Sequence, residues 1–287
     1  MNFFGSVRTT RKLLTAWEYR SRSTIWRIYP TGSDWIVGEE RDSEKKKATF
    51  FSLNRFSGKV IWSKELIGEW WVGVEAVTED SIFLHGFATP DMPMHKGITS
   101  VDVLTGDFRW EQPDLCFERR KGHTIIGSRG AYGNKRYTSV ETRTGRVLEE
   151  WADTDGSMSI GREDESLARV LFPETTFDVG ENIRPVAHQF LKDAGQSGPV
   201  SWTTLGPFAV VAYQVDNPTD PKGQPTQYIA VIRISDNTEL FSDIISTGTG
   251  MFIPDSFLIQ DGMLYYVRMK NHLVALDLRN GPDKGCL

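Results

Sequence analysis

The sequence predicts an all-β fold, a single β-propeller of six four-stranded blades occupying residues 1–287, with seven blades as the alternative. Three observations carry this. A short phrase recurs along the chain: an alternating strand, a turn containing Gly, then a strand that often carries Trp. The recurrences are evenly spaced. The N-terminus holds the piece that the last recurrence lacks.

The clearest copies run Phe50–Trp62, Ile98–Trp110 and Tyr137–Trp151. A fourth is Ser197–Trp202, a degenerate fifth is Tyr228–Phe241, and the sixth is His272–Gly281. The turns fall at Gly58, Gly106, Gly145, Gly198, Thr238 and Gly281. Their separation is the roughly 40–50 residues of one propeller blade. Alternation such as Ile98, Val101 and Val103 offers one apolar face to a neighbouring sheet. Gly in the turn permits positive φ. Trp62 and Trp110 supply large flat surfaces for packing between sheets. The sixth copy stops after its turn. Arg11–Trp17 resembles Gly58–Trp62 with one inserted residue, so residues 1–23 are expected to provide the closing strand and its linker.

The chain has 287 residues, 39% hydrophobic and 25% charged, with a formal net charge of −5. That composition is globular, and it disfavours a wholly basic nucleic-acid surface. Neither a membrane-spanning run nor a secretory signal is recognisable, so a cytoplasmic, monomeric protein is expected. The two cysteines, Cys116 and Cys286, lack any nucleophile or CxxC signature. Six basic residues among the first thirty (Arg8, Arg11, Lys12, Arg20, Arg22, Arg27) face one acid, Glu18. They read as a solvated face or as a patch for an acidic partner.

The runs Leu53–Trp62, Val101–Trp110 and Leu273–Leu278 resemble quinoprotein-type, or PQQ-like, propeller repeats. The segments around Gly38–Phe51, Trp70–Glu75 and Leu84–Ile98 resemble an uncharacterised bacterial family of such propellers. The resemblance implies the fold and not the quinone. Quinoprotein dehydrogenases of this type carry more blades, a periplasmic signal, adjacent cysteines and a Ca²⁺ site. This chain shows too few blades, no recognisable signal and no adjacent cysteines, and no cofactor is expected.

Binding residues tend to sit on long loops of a rigid scaffold. The expected b–c loops are Arg41–Lys47, Ala88–Lys96 and Asn217–Gln227. The densest chemistry lies in the first two blades: Glu39, Arg41, Trp70, Trp71, Glu75, His85, Asp91, His95 and Lys96. Trp70 or Trp71 can form an aromatic wall, and Arg41 with Lys96 can hold an anion. Glu75 and His85 can exchange protons. The same residues would serve equally as ion pairs and packing between blades. His85, His95 and Asp91 are metal-ligand types, but their spacing fits no standard zinc pattern, and no metal is expected. The expected function is a non-catalytic platform for a protein or a small polar ligand on the b–c loop face. The alternative is a hydrolase or lyase working from the channel mouth with Glu39, Glu75 and His85.

Overall fold

The computed structural model describes residues 12–89, 92–130, 134–152, 169–177, 183–248 and 250–280. The chain divides into two compact units. One comprises Met1–Arg22 with Val170–Leu287, and the other Ser23–Arg169.

A strand near the N-terminus, β1 (Thr15–Arg20), belongs to the first of these units. The second unit contains three consecutive four-stranded antiparallel sheets. The first is β2 (Thr24–Pro30), β3 (Trp35–Asp42), β4 (Lys47–Asn54) and β5 (Val60–Lys64). Next comes β6 (Val72–Val77), β7 (Ser81–Thr89), β8 (Met92–Asp102) and β9 (Phe108–Gln112). The third is β10 (Cys116–Lys121), β11 (Thr124–Arg129), β12 (Arg136–Glu141) and β13 (Val147–Ala152). In each sheet the spatial order is the chain order. Such repeated meanders are the blade unit of a propeller, and the chain is all-β of that class.

The sequence phrase has a physical basis in these sheets. After β4, the Asn54 side chain accepts hydrogen bonds from the Phe56 and Ser57 amides, and Gly58 turns at φ +68°. After β8, Asp102 does the same with Leu104 and Thr105, and Gly106 turns at φ +67°. The tryptophan then ties one sheet to the next. Trp62 Nε1 donates to the Val103 carbonyl at 2.9 Å, and Trp110 Nε1 to the Thr142 carbonyl at 3.0 Å. Inner strands are buried on both faces. Val37, Ala48 and Phe50 pack with Val72, Val74, Ile82 and Leu84. Phe83 and Ile98 pack with Trp110, Ile125 and Val140.

The other unit contains β14 (Val170–Leu171), β15 (Glu174–Thr176), one helix α1 (Arg184–Asp193), and β16 (Gln196–Leu205) to β19 (Thr238–Thr247). Between them run β17 (Phe208–Val215) and β18 (Thr226–Arg233). The strands β15 to β19 form one sheet in chain order. Ile183, Ala187 and Leu191 of the helix segment pack on Val200, Ala209 and Val211. The last sheet contains β20 (Phe257–Gln260), β21 (Met263–Arg268) and β22 (His272–Asp277), with β14 on one edge. On its other edge lies β1, pairing antiparallel with β22 from Thr15↔Leu276 to Arg20↔His272. The N-terminal strand therefore completes the last sheet, as the sequence predicts.

The described residues form five sheets of four or five strands. Two expectations are corrected. The fourth repeat copy is not a turn between strands: Gly198, at φ +72°, is a bulge inside β16, where the register shifts between Ser197 and Val200. The fourth and fifth copies thus belong to one sheet. The expected loop Ala88–Lys96 is largely hairpin, because β7 and β8 continue into it with Phe87↔His95 and Thr89↔Met92 paired. Gly281 and Cys286 lie outside the described residues.

Candidate functional site

The extension of the β7–β8 hairpin assembles the site. His85 and Phe87 stand two residues apart on β7 and so share a face. Pairing of Phe87 with His95 brings the second imidazole onto that face. The extra residue between Val74 and Ala76 on β6 is Glu75 itself, and an extra residue on β8, between the pairs Leu84↔Thr99 and Gly86↔Lys96, sets His95 opposite Phe87. The Glu75 carboxylate then lies beside both histidines.

Glu75 Oε1 is 2.7 Å from His95 Nδ1 and 3.1 Å from His85 Nδ1. The first contact is a hydrogen bond. The second is close enough for an ion pair but poorly aligned, so the buried His85 Nδ1 has no hydrogen-bond partner. The two imidazole rings stack, with centroids 3.5 Å apart and 9° between their planes. Phe87 stands nearly perpendicular to both rings, its centroid 5.2 Å from each. Gly73, paired with His85, makes room for the ring: a Cβ there would come within 2.7 Å of His85 Cε1. The His85 side chain is 7% exposed, Glu75 13% and His95 40%, so the cluster opens to solvent on the His95 side. Burial pushes the Glu75 carboxyl up, but the two imidazoles outweigh it and hold the group below the usual carboxylate range.

Phe87 also meets Trp71 edge-on at 6.0 Å, and Trp71 meets Trp70 at 6.3 Å. Trp71 is half-exposed and Trp70 less so. A continuous line of rings therefore runs from Trp70 to His95. Arg41 sits at the Trp70 end, its guanidinium 5.2 Å from the ring, but it is not free to hold an anion. Its Nε donates to Glu39 at 2.6 Å, and its terminal nitrogens donate to the Trp70 and Val72 carbonyls. Glu39 also accepts from the Tyr29 hydroxyl, and burial raises that hydroxyl's pKa. Arg41 and Glu39 thus pin β3 to the start of β6. Lys96 lies at the surface, 3.8 Å from Asp114. Asp91 lies outside the described residues.

Of the residues singled out from sequence, the structure gathers Glu75, His85 and His95, with Trp71 beside them. Phe87 and Gly73 were not singled out. Phe87 is legible afterwards as the residue two beyond His85 on an alternating strand. Cys116 shows no sign of activation, since burial raises its thiol pKa. Among the described residues, no helix is long and apolar enough to cross a membrane.

Fold and site together define a propeller-class protein with a carboxylate flanked by two imidazoles. A family model described as a domain of unknown function (DUF4905) matches residues 30–110, the span that contains the cluster. No curated protein matches the chain. Among solved structures the chain is similar to BamB from Moraxella catarrhalis, at 10% identity and a TM-score of 0.31, with 93% of this chain and 98% of that one covered. It is also similar to the β-propeller domain of the Trilobed protease from Pyrococcus furiosus, at 12% identity and a TM-score of 0.31, covering 90% and 70%.

Proposed function

We propose that this chain is a non-catalytic binding platform, built from PQQ-like propeller repeats, that takes a small polar ligand at Glu75, His85 and His95. One observation supports the reading: a carboxylate and two imidazoles share one point beside a partly exposed line of aromatic rings. The rings supply contact area, and the three polar groups supply orientation. Native mass spectrometry of protein purified gently from its host tests it, with Glu75→Gln and His95→Ala purified in parallel. A small mass carried by the wild type and lost from both variants is expected. Identical spectra for all three would remove the ligand from this cluster.

A second reading, a hydrolase or lyase, is favoured by the 2.7 Å hydrogen bond between Glu75 and His95. That pair is the arrangement of a general acid–base couple. A retained mass that is chemically altered over time, by the wild type only, would favour the enzyme over the platform.

A further inference from the structure

We infer that Glu75, His85 and His95 form a binding site for a divalent transition-metal ion of the zinc class. The inference deepens the binding-platform reading and rests on it. Each of the three residues places one donor atom within 4.8 Å of the others. Two imidazole nitrogens and one carboxylate oxygen make a borderline donor set, suited to zinc, nickel, copper or iron(II) and poorly suited to calcium or magnesium. Three protein ligands leave at least one coordination position for water or a further ligand.

A second observation points to a ligand at the same place. His85 Nδ1 is buried and faces Glu75, yet no hydrogen bond satisfies it. Buried polar atoms are ordinarily paired, and an orphan needs an explanation. A metal ion at this point would use that lone pair. The ring cannot easily turn away. Gly73 lies close beneath it, and Phe87 stands at its edge.

The geometry also specifies what must move. A metal ion lies near the plane of each imidazole that binds it. Two parallel rings 3.5 Å apart cannot both satisfy that condition. His95 is the more exposed of the two and has room to swing out of the stack, while His85 and Glu75 stay in place. The stack is therefore the metal-free arrangement, in which one Glu75 oxygen contacts both imidazole Nδ1 atoms.

The test is isothermal titration of the full chain with Zn²⁺ alone at neutral pH, repeated with His85→Ala, His95→Ala and Glu75→Gln. Binding of about one equivalent is expected for the wild type. Loss of a ligand should weaken it by more than the roughly 10–100-fold that outer-shell changes cost. His95 is half-exposed, so His95→Ala keeps the test decisive even if the buried His85→Ala variant fails to fold. Circular dichroism checks folding. Cobalt(II) provides an independent readout, since its visible absorption reports a coordination shell that includes nitrogen donors. No saturable Zn²⁺ binding by the wild type would overturn the inference, as would equal binding by wild type and His95→Ala. If the wild type binds no Zn²⁺ yet retains an organic mass that Glu75→Gln loses, the metal falls and the platform stands.

Discussion

Gly145 lies directly against the indole of Trp110. A Cβ on that glycine would come within 2.6 Å of the ring, and the same indole donates to the Thr142 carbonyl at 3.0 Å. Gly106 is placed likewise beneath Trp62, where a Cβ would come within 3.0 Å of the ring. The Gly and Trp of the repeat are therefore partners across neighbouring sheets. Trp62 and Trp110 each pack on the turn glycine of the following copy.

Gly145 sits at φ +71°, so alanine there suffers both backbone strain and the clash. Strain alone costs roughly 1–2 kcal/mol. Gly122 is a useful control, because it has φ +55° but nothing within 4 Å of its would-be Cβ. Gly145→Ala should therefore destabilise more than Gly122→Ala, by about 1 kcal/mol or more. Urea unfolding of the two variants measures the difference. Equal losses would mean that the indole contact is not tight.

Gly73→Ala probes the candidate site without touching a donor atom. Its Cβ would press on His85 Cε1 at 2.7 Å and on Nε2 at 3.0 Å. The imidazole must shift, so Zn²⁺ affinity should fall roughly tenfold or more. The overpacking should cost about 1–3 kcal/mol of stability. Titration and urea unfolding read the two effects separately. Unchanged affinity would show that His85 is not held where the metal needs it.

Arg41 distinguishes a structural residue from an anion-binding one. Glu39 is 2% exposed and depends on Arg41 and Tyr29 for its partners. Arg41→Ala should cost about 3–5 kcal/mol, because it strands a buried carboxylate. The double variant Arg41→Met with Glu39→Gln should lose less, since no charge is left behind. A double-mutant cycle by chemical unfolding supplies the numbers. A single variant of near-wild-type stability would return Arg41 to the candidate ligand-binding residues.

Asp102 carries a pH dependence. Burial raises its pKa, but the Arg109 guanidinium and the Thr105 and Leu104 amides more than offset this. The carboxyl is held below the usual carboxylate range, with Arg109 2.6 Å away. A lowered native pKa means stability that is fully present above the unfolded value of about 3.9. It is lost as pH falls through the native value. Asp102→Asn should therefore be less stable than wild type at neutral pH, and the gap should close on acidification below roughly pH 4. Unfolding midpoints taken at several pH values test this. A constant gap would assign Asp102 an uncharged role in the turn alone.

Much of the fold was legible in the repeat. Turns at Gly58, Gly106 and Gly145 have the positive φ the sequence implied, and β1 completes the sheet of β22. The blade count was not legible. Ser-Gly-x-Val-x-Trp at 197–202 matches the repeat phrase, yet its glycine serves a bulge. Positive φ is needed in both settings, so the phrase does not distinguish them. The helix α1 was also missed, although Ile183, Ala187 and Leu191 recur at helical spacing.

The site divides in the same way. Residue identities along one chain determined the all-β class, the glycine turns and a set of candidates that includes Glu75, His85 and His95. Only the tertiary structure decided that these three meet while Arg41 and Glu39 are spent on each other and on backbone. The reason is register. A bulge on β6, another on β8 and the continuation of the β7–β8 hairpin determine which side chains share a face. A one-residue slip in any of them would turn the Glu75 carboxylate or an imidazole to the opposite side, and local sequence carries no comparable penalty.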